Sequence, residues 1–535
     1  MSKKFYITTP IYYPSAAPHL GTAYCTVMAD VIKRMKETIG YDAFLLSGLD
    51  EHGEKIEKNA LANNMTPQQW VDTLSVKFLS LWKTLDISLN DFIRTTQPRH
   101  VETIQSIFSD FLKNGDVYLA KYQGWYCVHE ETYWTETQVG PEHLCPECGR
   151  PVEQKDEESY FFNCKKYLPF LLDFYDKNPD FITPIGRKTE MINNFIKPGL
   201  TDLSVTRTSF TWGIQVKENP KHVIYVWLDA LFNYLTALGY RQKDDSNFKK
   251  YWLDPECEIV HLVGADINRF HTIYWPMFLK ALNLREPNRV IVHGLMMMKD
   301  GKMSKSRGNA VPVEPLVEHF GLAGVRYYLA REILFGQDGQ FTPEQFVERL
   351  NMDLANNFGN LLNRTLSMME KYTNGVAPVF TGDYSLFDQQ LTKKLHEAIE
   401  EYERLADEIK PTDAIIKVME LLDLANKYIQ DSAPWTLAKD ENKREELESV
   451  LSHLTDALYA SAIMLRPIIL SKSDELLDCL GVPEELRTFE SLKSIEKRPA
   501  LQTKKGAPLF PRLDLKTEVE FIKNLMAAPK DKVAA

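Results

Sequence analysis

The first fifty residues alternate between β-strand and α-helix patterns, and this alternation limits the folds that the chain can adopt. Residues 4–8 (KFYIT) predict a buried strand that ends at Pro10. Apolar residues then recur at helical spacing from Leu20 to Met35, and a glycine follows as a helix stop. Residues 44–48 (FLLSG) predict a second strand. Strand, helix and strand in so short a stretch indicate a βαβ unit, which requires a parallel sheet.

The α/β pattern is interrupted and then returns. Strand-like segments at residues 223–227 and 259–264 each precede a helical pattern, and a third apolar run covers 289–298. We therefore predict one α/β, doubly wound domain with a parallel sheet. Its two halves are residues 1–115 and 225–350, separated by an insertion at 116–224. Helical periodicity dominates residues 351–515 and predicts an α-helical bundle, followed by a tail at 516–535.

The most distinctive segment is a cationic loop at residues 301–309 (GKMSKSRGN), directly after the third apolar run. It places two lysines, an arginine and two serines between glycines. Such a loop at a strand end can hold a polyphosphate whose charge must be stabilised as it leaves. The alternative interpretation is an ordinary solvated basic loop.

Two further motifs lie at predicted strand ends. Residues 18–22 (PHLGT) precede the first helix, where free N–H groups and the helix dipole favour an anion, and His19 can donate to a phosphate oxygen. Asp50 follows the second strand, at the end of the sheet where open α/β folds place ligands. A carboxylate there can hold a substrate ammonium group. The alternatives are an ordinary surface histidine and an acidic residue that only favours a helix dipole.

A cysteine cluster in the insertion predicts a structural zinc site. Cys145 and Cys148 have knuckle spacing and are followed by a glycine, and Cys127 lies upstream. A fourth cysteine is missing at the usual position, so either Glu130 or His129 would complete the site. A zinc-free relic of the same knuckle is the alternative.

These motifs together resemble the bacterial type of the methionyl-tRNA synthetase family, within the class I aminoacyl-tRNA synthetases. Residues 302–306 (KMSKS) match one half of the class I signature. Residues 19–22 (HLGT) resemble the other half, with Thr22 at the place of a second histidine. The resemblance covers about residues 4–515, and its most specific stretches are residues 8–13, 49–53, 225–230 and 301–309.

The resemblance implies a Rossmann-type catalytic domain, a knuckle-bearing connective insertion and an anticodon-binding bundle. It implies that methionine is activated with ATP to methionyl-adenylate, with release of pyrophosphate, and is then transferred to tRNA(Met) for initiation and elongation. It also implies ATP bound with Mg²⁺ and one structural Zn²⁺.

The resemblance also assigns residues to each substrate. The catalytic residues would be His19, Thr22, Lys302 and Lys305, and the ATP site would contain Pro18, His19, Gly21, Asp266, Lys302, Ser304 and Lys305. The methionine site would contain Ile11, Tyr13, Asp50, Trp227, Ala230, Tyr234, Ile267 and His271. The anticodon would be read by Asn360, Arg364 and Trp435, and the metal ligands would be Cys127, Glu130, Cys145 and Cys148.

The predicted methionine site makes chemical sense for a thioether. Asp50 would pair with the α-ammonium group, while Tyr13, Trp227 and Tyr234 would form a polarisable aromatic wall. The hydroxyl of Tyr234 and the ring of His271 could donate to the sulfur, a weak acceptor. For Trp435, which follows a proline at a helix junction, the alternative is a buried core residue.

Other functions share part of this pattern. A nucleotidyltransferase with the same signature but no tRNA substrate would need no helical bundle, and a non-catalytic relative should have lost His19 or the lysines. A class I synthetase for another amino acid is the nearest alternative, although large editing insertions do not fit this length. The net charge of −11, seven cysteines and no long apolar run predict a cytoplasmic protein without disulfides or membrane spans. The short tail predicts a monomer.

Overall fold

A fully parallel six-stranded sheet organises the first 300 residues of the computed structural model, which describes residues 2–127, 132–134, 136–146, 148–298, 301–302, 311–333 and 335–527. Its strands, in chain order, are β1 (Lys4–Tyr12), β2 (Asp42–Leu49), β3 (Asp91–Arg94), β4 (Ile182–Thr183), β5 (Glu258–Gly264) and β6 (Arg289–His293). Their spatial order is β3-β2-β1-β5-β6-β4. The strand order reverses between β1 and β5, so the predicted doubly wound α/β architecture is confirmed.

Three strand predictions need correction. β1 does not end at Pro10 but continues to Tyr12, because a register shift between Thr8 and Ile11 accommodates the proline. Residues 223–227 do not form one strand of this sheet. Only Val223–Ile224 is extended, in a small antiparallel sheet, before the backbone turns sharply into a helix. The apolar run 289–298 also divides, and only its first half belongs to the parallel sheet. The short strand β4 comes from within the segment 116–224.

Alternate residues of the strands face two different hydrophobic cores, as the two-residue period of a strand requires. Phe5 and Ile7 of β1 belong to the core that the sheet shares with the C-terminal helices. Tyr6, between them, belongs to the core on the other face, which also contains Tyr160 and Phe162 from the insertion. Both faces of the sheet are therefore covered, and only its strand ends remain available for a ligand.

Residues 1–350 contain short and medium helices in addition to the sheet. They are Leu20–Thr38, Glu54–Ala62, Pro67–Thr84, Pro98–Lys113, Glu136–Val139, Cys164–Lys177, Ile185–Met191, Trp227–Leu231, Asn233–Thr236, Trp275–Ala281, Val313–Phe320, Leu322–Glu332 and Pro343–Arg349. The additional strands form small sheets: Val117–Cys127, Thr132–Trp134, Glu153–Phe162 and Leu203–Ser204; Thr206–Arg207, Ile214–Gln215 and Val223–Ile224; Met296–Met298, Gly301–Lys302 and Gly339–Gln340; and Val376–Ala377 with Leu501–Gln502.

The C-terminal region is a helical bundle. Its helices are Asn360–Thr373, Leu386–Asp407, Pro411–Ser432, Pro434–Leu437, Arg444–Ile469, Ser471–Leu480, Phe489–Leu492 and Leu515–Ala527. The last of these includes part of the segment predicted as a tail, and it packs back on the helix Pro343–Arg349 through an ion pair between Lys523 and Glu344 (2.6 Å). None of the helices in the described part of the chain combines the length and hydropathy needed to cross a bilayer.

A buried ion pair joins the sheet domain to the bundle. The side chain of Arg326 is completely buried and donates to Asp30, in the first helix, at 2.6 Å. The same guanidinium donates to the backbone carbonyls of Leu85, Pro467 and Ile468 at 3.0–3.1 Å. The last two of these carbonyls lie at the end of the helix Arg444–Ile469, so one side chain connects three separate segments of the chain.

Candidate active site

A cavity of about 430 Å³ opens at the carboxyl ends of the strands, where the strand order reverses between β1 and β5. Ile11 and Tyr12 at the end of β1 and Asp50 just after β2 line one side. Gly264 at the end of β5 and His293 at the end of β6 line the other. The parallel strands therefore bring residues that are far apart in sequence to a single cleft.

The structure brings together almost all described residues that the sequence assigned to the two small substrates. All eight residues predicted for the amino acid line this cavity, and so do His19, Gly21 and Asp266 from the predicted nucleotide site and Thr22, which was predicted as catalytic. Pro18 does not line it. Ser304 and Lys305 lie outside the described residues, and of Lys302 only the backbone is described.

His19 occupies the N-cap position of the first helix, Leu20–Thr38. Its Nδ1 accepts a hydrogen bond from the backbone N–H of Gly21 at 3.1 Å. A neutral imidazole that accepts at Nδ1 carries its proton on Nε2. The ring is therefore oriented as a donor, next to a helix N-terminus whose dipole also favours negative charge.

The described residues on either side of the cationic loop lie beside the cavity or beside this helix end. Lys302 pairs with Met297 in a short antiparallel strand pair, directly beside the cavity residue Met296. After residues 303–310 in the sequence, which lie outside the described residues, the carbonyl of Val311 accepts a hydrogen bond from the backbone N–H of Leu20 at 3.2 Å. The chain therefore enters this segment next to a cavity residue and leaves it next to the start of the first helix.

Two adjacent carboxylates after β2 have different surroundings. Asp50 lines the cavity and is half-buried. Glu51 is fully buried and accepts from Arg94 at 2.7 Å and from Thr96. Burial raises the pKa of Glu51, and these two partners offset part of that effect. Asp50 is consequently the carboxylate that is placed to meet a ligand.

Tyr234 and His271 form a hydrogen-bonded pair in the cavity wall. The Nδ1 of His271 lies 3.0 Å from the carbonyl of Ile267 and must donate to it, so Nε2 accepts from the Tyr234 hydroxyl at 2.7 Å. Burial lowers the pKa of His271 to about 4, which keeps the ring neutral near pH 7. Both donor protons are already used within the protein. The predicted donation to a thioether sulfur is therefore not available in this arrangement.

Trp227 enters the cavity through a strained turn. The residue before it, Val226, has φ +32°, a conformation that is rare for a β-branched side chain. The indole of Trp227 stacks on Phe270 with a centroid distance of 3.6 Å and an interplanar angle of 9°. Sequence reasoning missed Val226 and Phe270, although Phe270 lies next to the predicted His271.

The cavity residues that were not assigned a role from the sequence include Tyr24, Cys25, Lys55, Asn233 and His293. Tyr24 lies one helical turn after Leu20 and Gly21, and Asn233 lies directly before Tyr234. In the sequence, Tyr24 and Asn233 could have been identified only from their positions close to residues that were predicted for the site.

The three cysteines predicted as metal ligands lie together. Their sulfur atoms are all within 4.8 Å of one another, and the sulfurs of Cys127 and Cys148 are 3.6 Å apart. Tetrahedral thiolates at a Zn–S distance of about 2.3 Å would be about 3.8 Å apart, so the three donors fit zinc. The turn from Cys145 closes at Gly149 (φ +68°), whose N–H donates to the Cys145 carbonyl. The predicted fourth ligands Glu130 and His129 lie outside the described residues.

The three residues predicted to read an anticodon all belong to the helical bundle. Asn360 is exposed and Arg364 is half-buried, one turn apart at the start of the helix Asn360–Thr373. Trp435 is 41% exposed, so the alternative that it is a core residue is wrong. Tyr428, seven residues before Trp435, is instead buried, and its hydroxyl donates a hydrogen bond to the Asp388 carboxylate.

Comparisons with known proteins agree with this arrangement. The family model described as "tRNA synthetases class I (M)" matches residues 5–154 and 148–366. A second, described as "Anticodon binding domain of methionyl tRNA ligase", matches residues 380–502.

Similar proteins cover nearly the whole chain. The methionine–tRNA ligase of Halalkalibacterium halodurans is 48% identical over 99% of this chain and 81% of its own length. That of Bacillus subtilis is 49% identical over 98% and 80%, respectively. Among solved structures, Mycobacterium tuberculosis methionyl-tRNA synthetase in complex with methionyl-adenylate superimposes with a TM-score of 0.89 at 38% identity, covering 95% of this chain and 100% of that one.

Proposed function

Because the chain belongs to the methionyl-tRNA synthetase family and is a methionine–tRNA ligase, we propose that its central cavity joins methionine to AMP and that its helical bundle recognises the tRNA anticodon. The observation that carries the residue assignments is the convergence of the predicted methionine and ATP residues on one cavity at the sheet's reversal point.

In the first step a carboxylate oxygen of methionine attacks the α-phosphorus of ATP. A carboxyl–phosphate bond forms, and the bond to the departing pyrophosphate breaks. Asp50 holds the α-ammonium group and thereby aims the carboxylate, which lowers the entropic part of the barrier. The Nε2–H of His19 and the N-terminus of its helix stabilise the developing phosphate charge.

The pyrophosphate leaves towards the cationic loop. Lys302 and Lys305, assigned by the resemblance, would supply positive charge for it, and Mg²⁺ bound with ATP would neutralise further phosphate charge. In the second step a hydroxyl of the terminal ribose of tRNA attacks the methionyl carbonyl. A new ester bond forms as the bond to AMP breaks, and no covalent intermediate with the protein is needed.

Amino-acid selection follows from the cavity wall. Trp227 and Tyr13 present aromatic surface to the unbranched side chain, and contacts between sulfur and aromatic rings contribute about 0.3–1.5 kcal/mol each. Because the hydroxyl proton of Tyr234 is donated to His271, Tyr234 has no proton to donate to the sulfur. Recognition of the thioether then depends on shape and dispersion more than on a hydrogen bond to sulfur.

Methionine is expected to drive ATP–pyrophosphate exchange most strongly when all standard amino acids are compared. Homocysteine should be activated more weakly, since a missing methyl group costs about 1–3 kcal/mol in such a pocket. The exchange assay with each amino acid in turn checks this result. Robust exchange with leucine or cysteine and none with methionine would contradict the proposed site.

Replacing Trp435 with alanine is expected to reduce tRNA charging by about 5–150-fold, which corresponds to one lost base-stacking contact of about 1–3 kcal/mol. Exchange without tRNA and the melting temperature should stay near wild type, because this side chain is 41% exposed. Parallel losses of charging, exchange and stability would refute the anticodon role.

A matched control is available in the same bundle. Phe387 is also 41% exposed, and no anticodon contact is assigned to it. Its replacement with alanine should leave charging within about twofold of wild type, because no base contact is lost. Asn360 and Arg364 complete the proposed anticodon surface, and their alanine variants should also affect charging and not exchange.

The cysteine cluster is expected to hold a single structural zinc ion. Zinc would connect Cys127, Cys145 and Cys148 with a fourth ligand from Glu130 or His129, and adenylation needs no open metal position there. Elemental analysis should find zinc in the wild-type protein and none after Cys145→Ala, with a lower melting temperature. Metal-free protein with full activity and unchanged stability would exclude the site.

We further propose that the chain acts in the cytoplasm and as a monomer. Light scattering of the protein with and without tRNA tests the oligomeric state.

A further inference from the structure

Trp227 lines both the methionine cavity and a second, partly open pocket, and its stacking partner Phe270 lines the second pocket. These two residues are called the wall pair. The second pocket has a volume of about 190 Å³ and is lined by both residues of the wall pair and by Trp134, Phe195 and Arg269. The wall pair is therefore not backed by a filled core on its far side. Dispersion contacts that would otherwise hold Trp227 in place are missing there. The stack with Phe270 at 3.6 Å is the closer of the two ring contacts of Trp227, the other being an edge contact with His271 at 6.4 Å, so the position of Trp227 depends strongly on that of Phe270.

Arg269 packs against the ring of Phe270, which also contacts Tyr274 with a centroid distance of 5.8 Å. Its side chain is only 7% exposed, and its guanidinium carbon lies 4.5 Å from the ring centroid of Phe270. The same carbon lies 4.9 Å from the ring of Phe195 and 5.4 Å from the ring of Trp134. A guanidinium in this range is attracted to each ring face, and the attraction is stronger when the group is shielded from water.

Trp134 connects this arrangement to the cysteine cluster. It is 4% exposed and packs in one small hydrophobic cluster with Cys127 and Cys145. The path from the knuckle to the methionine cavity thus has three contacts: Trp134 to Arg269, Arg269 to Phe270, and Phe270 to Trp227.

We propose that Arg269 is a positioning residue for amino-acid binding: it connects Trp134 of the knuckle to the wall pair and so determines how well Trp227 is placed for methionine. The proposal rests on the assignment of Trp227 to the methionine site. Arg269 itself need not contact methionine. Its loss should weaken methionine binding more than ATP binding or the adenylation step, because His19 and Gly21 of the proposed nucleotide site lie at the start of the first helix. Asp266 lies three residues before Arg269, so the ATP KM also shows whether the substitution disturbs this segment as a whole.

Arg269→Leu is expected to raise the methionine KM in ATP–pyrophosphate exchange by about tenfold, with kcat and the ATP KM within about twofold of wild type. The methionine dissociation constant, measured by equilibrium dialysis, should rise by the same factor. Arg269→Lys keeps the positive charge near the rings and should restore most of the affinity. Trp134→Leu should also raise the methionine KM, but should add little in an Arg269→Leu background because the two residues act through one path.

Arg241→Leu serves as the matched control. Arg241 also lies against an aromatic ring, with its guanidinium carbon 5.3 Å from the centroid of Tyr240, but neither residue lines the methionine cavity or the pocket beside the wall pair. This variant should keep the wild-type methionine KM. An equal increase there, an unchanged KM in Arg269→Leu, or equal losses of kcat and of affinity for both substrates would overturn the proposal. Methionine-dependent exchange by the wild-type chain tests the proposed function separately.

Discussion

Asp50→Asn is expected to lower kcat/KM for methionine by about 10²–10³-fold, or about 3–4 kcal/mol, in the exchange assay. The substitution keeps the size of the side chain but removes the charge that pairs with the α-ammonium group in a partly enclosed cavity. The ammonium would then be desolvated without a counter-charge. The main change should be in the methionine KM, and the melting temperature should stay close to wild type.

The neighbouring carboxylate provides the control. Glu51 is completely buried, pairs with Arg94 at 2.7 Å and does not line the cavity. Glu51→Gln should therefore reduce stability by about 1–3 kcal/mol, because a buried hydrogen-bonded charge is lost, and should affect methionine affinity much less. If the two variants lose methionine affinity equally, or if Asp50→Asn mainly lowers stability, the role proposed for Asp50 is incorrect.

Arg326→Leu is expected to reduce the free energy of unfolding by about 3–5 kcal/mol in urea denaturation. The leucine would leave the Asp30 carboxylate buried with less compensation, and three backbone carbonyls would lose a donor. Burial lowers the pKa of Arg326, but the Asp30 charge opposes that effect. Because these contacts connect the first helix to the bundle, the loss should weaken the junction between the two parts.

An exposed arginine gives the matched comparison. Arg404 pairs with Glu401 at 2.7 Å and with Glu408 at 2.6 Å, but all three side chains lie on the bundle surface. Arg404→Leu should cost less than about 1 kcal/mol, as exposed pairs usually do. A cost below about 1 kcal/mol for Arg326→Leu as well would show that the buried pair does not support the junction.

Much of the architecture could be predicted from periodicity and motif spacing. The βαβ pattern at the N-terminus led to the parallel sheet, and the knuckle spacing identified three cysteines whose sulfurs lie within 4.8 Å of one another. The pattern of apolar residues did not predict the secondary structure of residues 223–227 correctly. An apolar run of five residues is compatible with a strand or with the start of a helix, and the strained turn at Val226 decides between them.

The sequence by itself determined the family, the sheet domain with its insertion and helical bundle, and most residues of the cavity, because these depend on local patterns and on motifs that lie at strand ends. Only the tertiary structure decided what those residues can do. The donor protons of Tyr234 and His271 are used within the protein, Asp50 and not Glu51 meets the cavity, and Arg269 reaches Phe270 and Trp134. Hydrogen-bond direction, burial and ring contacts arise between segments distant in the chain, and no pattern of neighbouring residues encodes them.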